Sequence, residues 1–383
     1  MIASRLAGFG TTIFTEMSAL AERTGAINLG QGFPDEDGPA ELLEAAASAM
    51  RAGHNQYAPL AGVPALRRAV AEHQRRFYGM EVDPEAGVQI TFGATEAIAA
   101  ALLGLCEPGD EVVCFEPYYD SYAAGIAMAG ARRRVVTLHP PDWEWDVSAL
   151  ESAIGPRTRL LLLNTPHNPT GKVFSRAELE RIAGLCVEHD LLVVSDEVYE
   201  HLVFDGEHVP AATLPGMASR TLTVSSLGKT FSVTGWKIGW ATGPPELVGG
   251  VRAAKQYLSF AGGTPLQVAG SFGLALGDSF YRALADGLRA KRDRLYEGLA
   301  AAGLEPLRPA GTYFLNARVE GDGAEFCRTL AARAGVVAIP TAVFYDSPVG
   351  RSLVRFAFCK RSDVIDEAAA RLAGMAAPVD GAP

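Results

Sequence analysis

Residues 191–200 read Leu-Leu-Val-Val-Ser-Asp-Glu-Val-Tyr-Glu, an apolar run with two β-branched residues that breaks abruptly into an acidic and aromatic cluster. The run is too short for a helix, and it lacks the alternation of a strand with one wet face, so it reads as a strand buried on both sides. Four comparable runs lie around it, at 88–92, 111–115, 160–164 and 221–225. Each is followed by a polar motif and then by a helix-like segment. Such alternation indicates an α/β fold, with a mostly parallel central sheet covered by helices on both faces.

In sheets of this kind ligands bind beyond the carboxyl ends of the strands. The motifs that follow the five runs are GATEA, EPYYD, NTPHNPTG, DEVYE and SLGKT, so the polar chemistry collects at one edge. Helices are expected at 64–79, which opens on Pro64 and closes on Gly79, and at 176–189 behind the N-cap Ser175. A longer amphipathic pattern at 281–302 carries the chain out of the sheet. Beyond it GTYFLNARV, GVVAIP and SLVRFAFCK look like strands of a smaller α+β domain. The expected division is a large domain over 46–275, with a small domain built from 1–45 and 276–383.

The chain has 383 residues, a hydrophobic fraction of 48%, a charged fraction of 20% and a formal net charge of −10. This acidity argues against a nucleic-acid partner or an anionic membrane surface, both of which favour a basic face. No window reaches the ~18 uninterrupted apolar residues of a membrane span. The start shows no apolar core of a secretion signal. Cys106, Cys114, Cys186, Cys327 and Cys359 lie mostly in apolar runs without CxxC spacing, which suggests reduced, buried thiols in a cytoplasmic protein. The seven histidines are scattered, and no metal-ligand spacing emerges.

Lys229 follows a strand in SSLGKT. Alone, a loop Lys is usually a solvated charge, but Asp196 in DEVY and Asn168 in NPTG stand after neighbouring strands. An aldehyde cofactor needs an amine to hold it as a Schiff base, a carboxylate to keep its ring nitrogen protonated, and donors on its phenolic oxygen. Lys229, Asp196 and the pair Asn168 and Tyr199 meet those needs, which points to a pyridoxal phosphate site. Each has a plainer alternative: an N-cap for Asp196, a half-buried aromatic for Tyr199, a turn for Asn168. Gly93, Ala94 and Thr95 sit where a strand meets a helix starting near Thr95, and free N–H groups there suit a phosphate. Ser226 and Lys237 offer a hydroxyl and a second cation for the same anion. Tyr119 could stack on a cofactor ring. Arg355 stands on a strand, facing either solvent or a substrate carboxylate as a bidentate clamp. Gly32 in NLGQGFPD permits close backbone approach or serves a turn.

Taken in order, NLGQGFPD, NQYAP, NPTG, DEVY, SLGKT, GWKIGW and VRFAFCK resemble the class I/II aminotransferases of the pyridoxal-phosphate-dependent fold-type I group over nearly the whole chain. The resemblance implies that Lys229 carries the Schiff base and that Asp196 pairs with the pyridinium. It gives Asn168 and Tyr199 to the phenolic oxygen, and Gly93, Ala94, Thr95, Ser226 and Lys237 to the phosphate. Tyr119 would stack on the ring, and Arg355, Asn168 and Gly32 would bind the substrate. Ala94 stands where the family often has a hydroxyl, and Lys237 where Arg is frequent. The resemblance further implies a homodimer in which Tyr57 reaches the neighbouring subunit's phosphate, and a ping-pong transfer of an amino group from an amino acid to a 2-oxo acid such as 2-oxoglutarate.

Within the family the motifs are most similar to bacterial N-succinyldiaminopimelate aminotransferases of lysine biosynthesis, and also to kynurenine and glutamine aminotransferases. A methionine-type donor and a cysteine-conjugate β-lyase are alternatives; a non-enzymatic regulator is disfavoured by the acidic charge and the early start of the substrate motif. Selectivity is expected from loops at 13–17, with Phe14 facing the substrate, and at 262–266.

Overall fold

The computed structural model describes residues 2–10 and 12–376. The last residues assigned to the small domain, 377–383, lie outside them. The described residues form thirteen strands: β1 (Ile27–Asn28), β2 (Val88–Phe92), β3 (Glu111–Glu116), β4 (Arg132–Thr137), β5 (Thr158–Asn164), β6 (Leu192–Asp196), β7 (Thr221–Ser226), β8 (Ile238–Thr242), β9 (Glu305–Leu307), β10 (Phe314–Arg318), β11 (Val336–Val337), β12 (Ile339–Pro340) and β13 (Leu353–Ala357). Seven of them make one sheet in the order β2-β8-β7-β6-β5-β3-β4. All its neighbours are parallel except at β8, which is antiparallel to both β2 and β7.

The sheet is buried on both faces, as the unbroken apolar runs require. Val112, Cys114, Leu160, Leu162, Val194 and Val224 pack on one side with the helices Gly93–Leu105 and Pro245–Leu258. Val113, Phe115, Leu161, Leu163 and Val193 pack on the other with Arg176–Glu188. Each such side chain taken wholly out of water contributes roughly 1.5–3 kcal/mol. Two strands of this sheet lie outside the five expected runs. β4 is an edge strand whose three arginines hide its apolar half, and β8 begins directly after Lys237 with no polar break.

The expected helices form with small shifts at their ends. Pro64–Tyr78 closes on Gly79 at φ 65°, where a side chain would be strained. Arg176–Glu188 begins with a full capping box between Ser175 and Glu178. The long helix is Asp278–Ala301, starting one turn earlier than its apolar pattern. It leads to a four-stranded antiparallel sheet, β12-β13-β10-β9, in which Asn316 lies opposite Arg355. The N-terminal helix Ile13–Thr24 and β1 pack onto the core of that sheet, with β1 parallel to β11. Residues 13–17 therefore open a helix where a loop was expected.

Register fixes the working edge. Asn164 pairs with Asp196 and Asp196 with Val224, so β5, β6 and β7 end nearly level. No described helix is long and apolar enough to cross a membrane.

Candidate active site

The level ends of β5, β6 and β7 form the floor of a cavity of about 410 Å³, closed on one side by β13. β6 delivers Asp196, the turn after β5 delivers Asn168, and the short helix Leu227–Thr230 after β7 delivers Lys229. Because β8 runs against its neighbours, its beginning reaches this edge and brings Lys237, held at φ 53°. All of Phe14, Gly32, Gly93, Ala94, Thr95, Tyr119, Asn168, Asp196, Tyr199, Ser226, Lys229, Lys237 and Arg355 line the cavity. Tyr57 does not: it is 78% exposed, with its ring edge against Phe260. Residues 262–266 are likewise absent from the lining.

Asp196 is a buried carboxylate held by two donors. The Tyr122 hydroxyl donates to Oδ2 at 2.6 Å and the Val198 N–H to Oδ1 at 3.4 Å. Burial pushes its pKa up to about 6, and these two bonds oppose the shift without cancelling it. The chain runs on from Asp196 into a turn and not a helix, so the N-cap alternative does not apply. Lys229 Nζ lies 5.8 Å from the ring centre of Tyr199 and 5.6 Å from that of Tyr313. Burial pushes its amine down to about 8, so roughly a tenth of it is neutral at pH 7, far more than for an ordinary lysine.

Arg355 is not on a solvated strand face; it is 1% exposed. Its Nη1 donates to Asn168 Oδ1 at 3.2 Å and its Nη2 to the Gly30 carbonyl at 3.1 Å, while Nε has no partner. The guanidinium lies over the rings of Phe314, Phe344 and Phe14, at 4.1, 4.9 and 5.4 Å. A buried cation with an unsatisfied N–H suits a carboxylate.

The helix Gly93–Leu105 begins two residues before Thr95, and its N-cap Phe92 offers no side-chain oxygen, so the first N–H groups face the cavity edge. Gly93 is at φ 69°, and a Cβ there would lie 3.3 Å from Lys237 Nζ. A Cβ on Gly239 would come within 2.8 Å of the Ala94 nitrogen, so β8 presses on this turn. The result is a cradle of backbone donors with a cation beside it, which fits a phosphate. Together with a buried carboxylate that has donors but no ion-pair partner within reach among the described residues, and a depressed amine, the donor set fits pyridoxal phosphate.

Some lining residues had not been singled out, among them Thr12, Gln31, Phe33, Asp120, Tyr122 and Phe314. Tyr122 was detectable, since it stands three positions after Tyr119, near the start of the helix Asp120–Met128. Two of the seven histidines also meet at one place. The Nε2 atoms of His73 and His201 are 2.7 Å apart, with Glu200 beside them.

The sheet, its working edge and the added four-stranded layer are the architecture of fold-type I transferases, and the chain belongs to the class I and II aminotransferases: the family described as "Aminotransferase class I and II" matches residues 24–372. It is an enzyme that moves an amino group from an amino acid to a 2-oxo acid, and its family works with pyridoxal phosphate. The chain is 53% identical to the probable N-succinyldiaminopimelate aminotransferase DapC of Mycobacterium tuberculosis, covering 98% of this chain and 99% of that one. It is 43% identical to the methionine aminotransferase of Escherichia coli, over 96% and 97% of the two chains. The solved N-succinyldiaminopimelate aminotransferase of M. tuberculosis superposes with a TM-score of 0.95 over 98% of this chain and 100% of that one.

Proposed function

We propose that this chain is a pyridoxal-phosphate-dependent N-succinyldiaminopimelate aminotransferase of lysine biosynthesis, acting in the cytoplasm as a homodimer with the 2-oxoglutarate/glutamate couple. The observation that carries the cofactor is the convergence of Lys229, Asp196 and the Gly93 cradle on one cavity. The donor assignment rests on the relative that is 53% identical over almost its whole length. The division into 46–275 and 1–45 with 276–383 is kept as part of this reading.

Asp196 would hold the cofactor's ring nitrogen, Asn168 and Tyr199 its phenolic oxygen, and Tyr119 its ring face. Gly93, Ala94, Thr95, Ser226 and Lys237 would hold its phosphate, with Tyr57 supplied across the dimer to the neighbouring subunit. When bound, the cofactor supplies an electron sink that makes the Cα–H bond of the amino donor acidic. The chain's own residues do the rest. Arg355, with Asn168 and Gly32, grips the α-carboxylate and so fixes where Cα stands. Lys229 Nζ, depressed to about 8 by burial, takes the Cα proton as general base and later returns a proton as general acid. Asp196, while ionised, favours the protonated form of any base it faces. Phe14, Thr12 and Gln31 lie along the rim, where a donor side chain would rest.

A methionine-type donor is the second reading, favoured by the relative at 43% identity and by the aromatic rings of Phe14, Phe33 and Phe314 in the lining. The test is a donor panel with purified protein: N-succinyldiaminopimelate, methionine, glutamine, kynurenine and aromatic amino acids, each with several 2-oxo acids. The reading requires the highest kcat/KM for N-succinyldiaminopimelate. A clear preference for methionine would replace it. Pyruvate and ammonia released from cysteine conjugates without an acceptor would indicate β-elimination instead.

A further inference from the structure

Lys229 faces a second space. A smaller cavity of about 160 Å³ lies on the other side of its side chain, and Lys229 lines both. At the depth of this second cavity are Lys229, Tyr313 and Cys359, the last two almost fully buried. At its mouth are Gly287 and Ala283 of the helix Asp278–Ala301, both exposed, and the ion pair of Lys291 with Glu36 at 2.9 Å. The space thus runs from solvent to Lys229, whose amine is near enough to Cys359 for the two to interact, by a path that does not pass the residues proposed to bind substrate.

The protein surroundings of the amine explain what this space can do. Tyr199 and Tyr313 present ring faces to Lys229 Nζ, and ring faces attract a cation without taking its protons. The Tyr313 hydroxyl is turned away, donating to the Gly32 carbonyl at 2.7 Å. One water needs on the order of 10–15 Å³ of room for its centre and about 2–4 polar partners. The cavity has room for several, and Lys229, Ser232, Cys359, Lys291 and Glu36 are the polar residues of its lining.

We propose that this second cavity is a water-filled port through which Lys229 exchanges its protons with solvent. In the exchange an ammonium proton passes from Nζ to a cavity water, giving hydronium, and a solvent proton returns to the vacated lone pair. No other bond changes and no electron is transferred. The inference rests on Lys229 being the base of the proposed transamination. It implies that a proton taken from Cα is partly lost to solvent before it is returned, even while substrate fills the larger cavity.

The port is tested by filling it. A Cβ on Gly287 meets no atom within 4 Å, and leucine suits a helix better than glycine, so Gly287→Leu is expected to fold; Ala283→Leu fills the same mouth independently. Crystals of the cofactor-free protein should show waters within hydrogen-bond distance of Lys229 Nζ on the Cys359 side, and these should be gone in either variant. In heavy water, the ratio of Cα deuterium in recovered amino acid to 2-oxo acid formed should fall at least about threefold in the variants, as solvent exchange at the base is slowed. A dry cavity in the unaltered protein, or an unchanged ratio with the cavity visibly filled, overturns the port. Failure of both unaltered and variant protein to form 2-oxo acid would instead sink the aminotransferase reading, and the crystals would still decide the port.

Discussion

The segment 196–201 serves two buried polar regions at once. Asp196 and Tyr199 turn into the larger cavity, while Glu197, Glu200 and His201 turn away from it, toward the helix Pro64–Tyr78. On the far side Ser225 donates to Glu200 at 2.6 Å, Ser195 donates to Glu197 at 2.6 Å, and His208 lies 3.0 Å from Glu197. His73 and His201 share a hydrogen bond, and the rings of Phe77 and Tyr281 close over them. Burial pushes His201 down to about 3 and lowers His73, so both imidazoles are neutral. Their contact is thus a neutral hydrogen bond inside an aromatic shell. The cavity side differs in setting: its amine rests on ring faces and its guanidinium N–H borders open space, whereas the unpartnered atoms of the closed side, His73 Nδ1, Glu200 Oε2 and His208 Nδ1, are buried away from the cavity. The contrast separates groups kept ready for a ligand from groups that complete the core.

Substitutions on the two sides should therefore fail differently. The largest effect is expected at Lys229: Lys229→Ala should lower 2-oxo acid formation by about 10²–10⁴-fold, since the proton carrier is lost. The melting temperature of the cofactor-free protein should hold or rise, because a desolvated amine has been removed. A variant that still transaminates normally would refute the role. Asp196 gives the next effect, read as pH dependence of stability without cofactor. Its folded pKa is raised from 3.8 to about 6, so across that window the folded protein keeps a proton that the unfolded chain has released. Stability should accordingly fall as pH rises from 3.8 to about 6, by roughly 3 kcal/mol at most, and Asp196→Asn should flatten the slope. Lys229 acts in the alkaline range with opposite sign. Its pKa is depressed from 10.5 to about 8, so the unfolded chain binds more protons there and stability should rise with pH.

How far the sequence carried this contrast depended on whether a role was local. The five apolar runs were legible because a strand buried on both faces needs an unbroken apolar stretch, whatever surrounds it. β4 was not, since Arg133 and Arg134 obscure the stretch and are satisfied only by distant partners, Asp346 and Glu111. In the site, Lys229, Asp196 and Asn168 could be read from motifs at strand ends. The fate of Arg355, solvent or clamp, depended on Phe314 and Phe344 packing against it, which periodicity does not reveal. The histidine cluster was invisible for the same reason: His73 and His201 are 128 positions apart.

On the closed side, His201→Ala should cost about 1–3 kcal/mol of stability, because His73 would keep a buried nitrogen without its partner. Chemical denaturation of the cofactor-free protein measures this, and kcat/KM should stay within about twofold of the unaltered enzyme. A large loss of activity with stability intact would mean that the two sides of segment 196–201 are coupled, and the distinction drawn between them would fail.

The smallest effect is expected at Tyr313, which belongs to both descriptions. Its ring is one of the two faces beneath Lys229, while its hydroxyl ties Gly32 to the small sheet. Tyr313→Phe keeps the ring and removes the bond to the Gly32 carbonyl, along with the hydroxyl's contact with Tyr199. The loss should be about 0.5–1.5 kcal/mol, the net worth of one neutral hydrogen bond. Gly32 has little freedom to move in one direction, because a Cβ there would lie only 2.5 Å from the Phe314 ring. Released from Tyr313, the segment 30–33 should loosen away from the cavity, raising KM for the amino donor several-fold while kcat and the pH dependence of Lys229 stay as they were. Should kcat fall and KM hold, the hydroxyl would be acting on Lys229 itself, and Tyr313 would join the groups kept ready for chemistry.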